Sequence, residues 1–211
     1  MKTAAFKAWK RHIPTKLDAA NRVWRSFRFG KTAEIFVLDC RSERTPRGRL
    51  GPDAQFISKE QLSWLQNGLK NSECAFKLVM TSVPIADVPG ADFTAFDFDR
   101  WEGYNAQRLK LLSFIEDNQI PRVVFVSGDL HLAYAGRVAM SGPGKKLLEF
   151  LVGPGAQGAN PSLSYPSGAQ FDFSSKVNNF TEFDLNPTTG EMIVTYYGGA
   201  NKVVFQKSYL P

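Results

Sequence analysis

Val-Val-Phe-Val at positions 123–126 restricts the fold more than any other stretch of this chain. Four β-branched or aromatic residues follow one another with no polar alternate, which suits a strand covered on both faces. Residues 75–79, apolar apart from Lys77, read as a second buried strand. Helices separate the strands. Ser58-Lys-Glu-Gln61 has the spacing of a capping box, and Leu62, Leu65 and Leu69, bordered by Trp64, supply one apolar face. Residues 104–118 repeat the pattern with Leu109, Leu111, Leu112 and Ile115. Upstream, 27–29 and 33–39 form a hairpin around Gly30-Lys31, and the Arg-, Gly- and Pro-rich stretch 41–53 reads as a loop. A loop through Pro84, Pro89 and Gly90 follows 75–79. This alternation predicts an α/β layered fold, a mixed sheet with flanking helices.

The pattern changes after residue 135. Short strand candidates at 137–140, 147–152, 180–185, 192–197 and 203–207, with a turn at Asn186-Pro-Thr-Thr-Gly190, predict an antiparallel β meander. Residues 153–175, rich in Gly, Pro and Ser, read as a long surface loop. The expected organisation is a basic arm and first strand over 1–31, an α/β portion over 32–135, and C-terminal antiparallel strands of the same domain over 136–211.

At 211 residues the chain can bury a substantial core. It has no run of 18 apolar residues, so no transmembrane helix is expected. Lys7, Lys10 and Arg11 interrupt the first residues, which therefore lack the core of a secretory signal; the chain as it stands reads as cytoplasmic. Cys40 and Cys74 have no metal-type spacing and read as free thiols or one bridge. The net charge of +6 is uneven. Residues 1–31 carry nine Lys or Arg against Asp18, a net +8, which leaves −2 for the other 180 residues. Such an arm can meet nucleic acid, an anionic membrane or a phosphorylated substrate, or remain a solvated face or dock on an acidic partner. No recognised nucleic-acid-binding motif accompanies it.

The 123–126 run leads into Gly128-Asp-Leu-His131. Ligands of α/β sheets sit beyond the carboxyl ends of the strands, where Asp129 and His131 fall. A carboxylate and a neutral imidazole make a metal-ligating pair. The plain alternative is that Asp129 caps a turn and His131 packs locally.

Several segments, in order, resemble the PhoD-type alkaline phosphatases, a branch of the calcineurin-like metallophosphoesterases. They are Arg25-Ser-Phe-Arg-Phe-Gly30 with Val37-Leu-Asp-Cys-Arg41 and Arg44; Leu50-Gly51 with Gln61-Leu-Ser-Trp64-Leu65; Trp101-Glu-Gly-Tyr104 with Arg108; Gly128-Asp-Leu-His131; and the 186–190 turn. The resemblance implies a phosphoesterase that hydrolyses phosphate esters with metal-activated water, using calcium, iron, manganese or zinc. It makes Asp129 and His131 metal ligands and Arg41 and Arg44 candidates for phosphate contact, with a structural role as the alternative. Asp39 is expected to make a structural bond, and Trp101, Tyr104 and Arg108 to pin the long loop.

The chain also departs from the family pattern. The family's N-terminal half, with its further metal ligands, has no counterpart here, and Thr81-Ser82 stands where the family carries Asn-Gln. His12 reads as a surface histidine. Two expectations follow: the C-terminal portion of a metallophosphatase, incomplete as this chain alone, or a catalytically silent remnant that binds through its basic arm. On the first, a homo-oligomer or a partner chain supplies the missing half and covers an exposed edge at 75–79 or 122–127, with 22–38 the segment most prone to exchange.

Overall fold

The computed structural model describes residues 2–15, 22–45, 51–88, 100–158 and 166–211. Leu50, Pro89, Gly90, residues 16–21 of the basic arm and parts of the 41–53 and 153–175 loops lie outside them. The arm contains helix α1 (Lys2–His12), whose last turn carries Lys10, Arg11 and His12, with the Lys10 and Arg11 cations placed favourably at the negative end of the helix dipole. Its Phe6 and Trp9 rings stack, and His12 is exposed.

Strands β1 (Arg25–Phe29) and β2 (Ala33–Val37) form the expected antiparallel hairpin, and Gly30 at its tip adopts φ 57°. Helix α2 (Lys59–Asn71) then leads to β3 (Phe76–Met80), and α3 (Asn105–Asp117) leads to β4 (Val123–Ser127). β5 (Ala133–Arg137), β6 (Leu148–Leu151) and β7 (Phe171–Ser175) complete a seven-stranded sheet of order β1-β2-β3-β4-β6-β5-β7. Within it β2, β3, β4 and β6 run parallel, while β5 is antiparallel to both β6 and β7. β8 (Phe180–Leu185), β9 (Met192–Tyr197) and β10 (Val203–Tyr209) form a separate antiparallel sheet with β9 in the middle. Within the turn at 186–190, the Asn186 carbonyl oxygen of the side chain accepts the N–H groups of Thr188 and Thr189.

The missing alternation at 123–126 has a direct cause: both faces are covered. Phe36, Val79 and Phe125 pack with Leu62, Leu65 and Leu69 of α2 and Leu111, Leu112 and Ile115 of α3. On the other face Leu78, Val124 and Phe150 meet Met192, Val194 and Tyr196 of the small sheet. Burying each such side chain contributes roughly 1.5–3 kcal/mol, so the two faces account for most of the driving force.

Ser58 is the N-cap of α2, and its Oγ accepts the Gln61 N–H at 3.1 Å. The reciprocal half of the box differs from expectation. Gln61 turns away to bridge the backbone of Asp39, accepting its N–H at 2.8 Å and donating to its carbonyl at 3.2 Å. Glu43 replaces it, accepting from the Ser58 N–H and Oγ, Gln61 Nε2 and Trp24 Nε1.

Four other expectations are corrected. Leu109 lies on the solvent side of α3, and the buried face includes Gln107 and Arg108 instead. The strand expected at 137–140 is β5, four residues earlier, because its Ala and Gly residues are held by β6 and β7 rather than by their own propensity. The expected loop 153–175 ends in β7, whose Phe173 ring packs on Phe205 and Tyr196 of the small sheet. Thus β5, β6 and β7 belong to the large sheet, β5 crosses residues 135 and 136, and the meander is confined to β8–β10. Finally, β3 and β4 are paired on both sides, so neither is an exposed edge. The edges are β7 and β1, and Phe27 and Phe29 of β1 are exposed. Among the described residues no helix is long and apolar enough to cross a membrane, and Cys40 and Cys74 are buried free thiols.

Candidate functional site

β4 and β5 follow one another in sequence but are not neighbours, because β6 lies between them. Adjacent strands are about 4.8 Å apart, so residues 128–132 must arch over the carboxyl end of β6 and span about 10 Å. Alternation within the arch sorts its side chains. Leu130 and Leu132 are buried with Ala86, Val88, Tyr134 and Leu151, whereas Asp129 is exposed and His131 half-buried. Asp129 (φ 79°) and His131 (φ 56°) both adopt left-handed backbone, costly for residues with a Cβ.

The chain leaving β6 emerges beside the arch. Asp129 and His131 line a cleft of ≈ 650 Å³ with Val152, Gly153, Pro154, Gly155, Ala156 and Gln157. Val152 is tied to the end of β4 through its N–H to the Ser127 carbonyl at 2.9 Å. Neither Asp129 nor His131 makes a side-chain hydrogen bond to another described residue.

The other candidates sit elsewhere on the carboxyl edge or beneath it. Asp39 follows β2 and organises its own turn: Oδ1 accepts the N–H groups of Arg41 (3.0 Å) and Ser42 (2.7 Å), and Oδ2 accepts the Ser42 hydroxyl. Arg41 is exposed, and the Arg44 guanidinium lies over the Phe56 ring at 5.9 Å. Neither is among the described residues lining the cleft, since the end of β2 is two strand positions from β4. Trp101 is fully buried, donating from Nε1 to Thr81 Oγ1 at 3.0 Å, and Tyr104 donates to the Thr45 carbonyl at 3.3 Å. Arg108 is buried and donates to the carbonyls of Ile85 (2.6 Å) and Val138 (3.4 Å). Burial lowers its pKa, opposed by the carboxylates of Asp87, Glu102 and Glu149. Thr81 is buried between Trp101, Cys40 and the Val83 carbonyl, so its hydroxyl is occupied; Ser82 beside it is exposed. Burial also pushes the Cys40 thiol pKa up, which disfavours the reactive thiolate.

Sequence reasoning missed two residues. Glu149 of β6 is fully buried and holds the structure under the arch, accepting from Ile85 N–H, Ala86 N–H, Ser127 Oγ and Tyr134 Oη. A carboxylate inside the apolar run 147–152 was the available signal, because a buried charge needs partners. The second is Asn179, which bonds the cleft wall at Gly153 and Pro154.

Residues 1–199 match the model of the PhoD-like phosphatase family. The chain belongs to that family. A curated relative, alkaline phosphatase D of Bacillus subtilis (strain 168), is 25% identical over 155 residues, which cover 65% of this chain and 27% of the relative. A solved structure described as the structure of PhoD superposes with a TM-score of 0.72 at 19% identity, covering 99% of this chain and 45% of that one. This PhoD-like chain therefore spans about a quarter of the curated relative's length and under half of the solved chain, and the second likeness concerns the fold.

Proposed function

We propose that this chain contributes Asp129 and His131 to a metal-assisted site for hydrolysis of phosphate esters. The observation that carries the reading is their outward placement on one arch, facing one cleft at the carboxyl edge of the parallel strands. A carboxylate oxygen and an imidazole nitrogen suit calcium, iron, manganese or zinc to different degrees. Among the described residues no three His, Cys, Asp or Glu gather in one group, so the pair fits part of a coordination sphere, not a closed one. A bound ion would lower the pKa of a coordinated water and offset charge on phosphoryl oxygens. Asp129 and His131 would hold it, Leu130 and Leu132 keep the arch seated, and the Val152–Gln157 segment bounds the space opposite. Arg41 and Arg44 remain proposed phosphate contacts only for a substrate reaching along the edge to the end of β2.

Titration calorimetry with manganese(II) chloride tests this. The wild-type chain is expected to bind, and His131→Ala and Asp129→Asn to bind about tenfold more weakly or not at all, with unchanged circular dichroism. Hydrolysis of p-nitrophenyl phosphate is expected to be slow, because two protein donors hold an ion weakly, and to vanish in His131→Ala. Equal manganese affinity in all three chains would remove both residues from the reading.

A further inference from the structure

We infer that Asn179 is a positioning residue that sets the cleft wall facing Asp129 and His131, an inference that rests on the function proposed above. Asn179 lies in the link between β7 and β8 and is 7% exposed. Both side-chain groups and the backbone N–H are engaged. Nδ2 donates to the carbonyls of Gly153 (2.7 Å) and Val177 (2.8 Å), Oδ1 accepts the Gly153 N–H at 3.3 Å, and its backbone N–H donates to the Pro154 carbonyl at 2.8 Å. One side chain thus binds Gly153 on both sides, as a neighbouring strand would. Downstream of Val152, these are the hydrogen bonds that fasten the wall to the rest of the molecule among the described residues; Gly155, Ala156 and Gln157 make none.

Gly153 needs such a clasp. Its φ of 112° lies outside the region that ordinary residues hold by themselves, and glycine contributes no side chain to packing. Val177 is itself part of the link, so Asn179 joins the wall to the start of β8. The small sheet accordingly does more than cover an apolar face: through Asn179 it determines how far the wall stands from the arch. Any phosphate held at Asp129 and His131 would lie between the two.

Hydrogen–deuterium exchange and binding of inorganic phosphate to the manganese-loaded chain test this together. In Asn179→Ala, Gly153 amide exchange is expected to rise about tenfold or more, as loss of its acceptor and the flanking bonds requires, with amides of β8 and β9 unchanged. Phosphate affinity should fall about tenfold, while manganese affinity stays within about twofold of wild type. Asn179→Asp keeps the size and the acceptor but loses both donors; its Gly153 exchange should fall between the two, and it serves if the alanine variant does not fold. Unchanged Gly153 exchange, faster exchange throughout both sheets, or unchanged phosphate affinity beside a loosened wall would each overturn the inference. Absence of manganese binding in the wild-type chain would instead count against the proposed site, and the exchange data would still decide whether Asn179 fastens the wall.

Discussion

Glu149→Ala is expected to leave the chain largely unfolded at 25 °C. The carboxylate is fully buried, and Ile85 N–H and Ser127 Oγ bond one oxygen at 3.0 and 2.7 Å. Ala86 N–H and Tyr134 Oη bond the other at 2.7 and 2.6 Å. Alanine removes the acceptor from four buried donors at once, each costing roughly 1–3 kcal/mol when left unpaired. The total rivals the whole stability of a typical domain, about 5–15 kcal/mol. Glu149→Gln keeps the shape but turns an amide N–H₂ towards a pair of donors, a loss of about 2–3 kcal/mol. The pH dependence has a definite sign. Burial raises the Glu149 pKa, and the four bonds only partly counter it. Its folded pKa therefore lies above the unfolded one, so its favourable contribution is full below the unfolded pKa and is lost as pH rises through the folded value. The stability gap between wild type and Glu149→Gln should be widest in acid and narrow towards neutrality. Urea unfolding at a series of pH values measures both effects. A Glu149→Ala midpoint equal to wild type would show that the four donors find other partners.

The second large effect is expected at Trp101. Its side chain has no exposed surface, packs on Phe56 with ring centroids 4.5 Å apart, and donates to Thr81 Oγ1 at 3.0 Å. Trp101→Ala should cost about 3–5 kcal/mol, since it removes a large buried ring and leaves a cavity beside Phe56 and Thr81. Trp101→Phe retains most of the packing and loses the hydrogen bond; because Thr81 Oγ1 still has Cys40 and the Val83 carbonyl as partners, about 1–2 kcal/mol is expected. Chemical denaturation of the two variants separates packing from hydrogen bonding. Equal losses in both would assign the effect to the hydrogen bond and contradict the cavity argument.

What could be read from the sequence follows from the range over which each residue acts. The unbroken apolar run at 123–126, and the run at 75–79 interrupted only by Lys77, point to strands covered on both faces, and the Ser58 cap acts within one helical turn. Asp129 and His131 stood out as candidates because two residue types with metal affinity close a buried strand. Residues whose partners lie far along the chain were harder. Asn179 bonds Gly153, 26 residues away, and nothing around it in the sequence distinguishes it from a polar loop residue. β7 was concealed by the Gly-, Pro- and Ser-rich residues before it, although Phe171 and Phe173 alternate. The Arg41 and Arg44 motif placed both residues after β2, but motif order says nothing of the two strand positions between that strand and β4.

The insertion of β6 between β4 and β5 also has a consequence for how the chain acquires its structure. A strand–arch–strand segment of this length would ordinarily close as a local hairpin within microseconds. Here that shortcut leads away from the native pairing, because β4 and β5 each bond to β6 and not to each other. The arch can take its final form only after residues 148–151 have entered the gap, and the Val152–Gln157 wall cannot be set before the link preceding β8 arrives. The segment bearing Asp129 and His131 is thus expected to be among the last to become ordered during folding, although it lies near the middle of the chain.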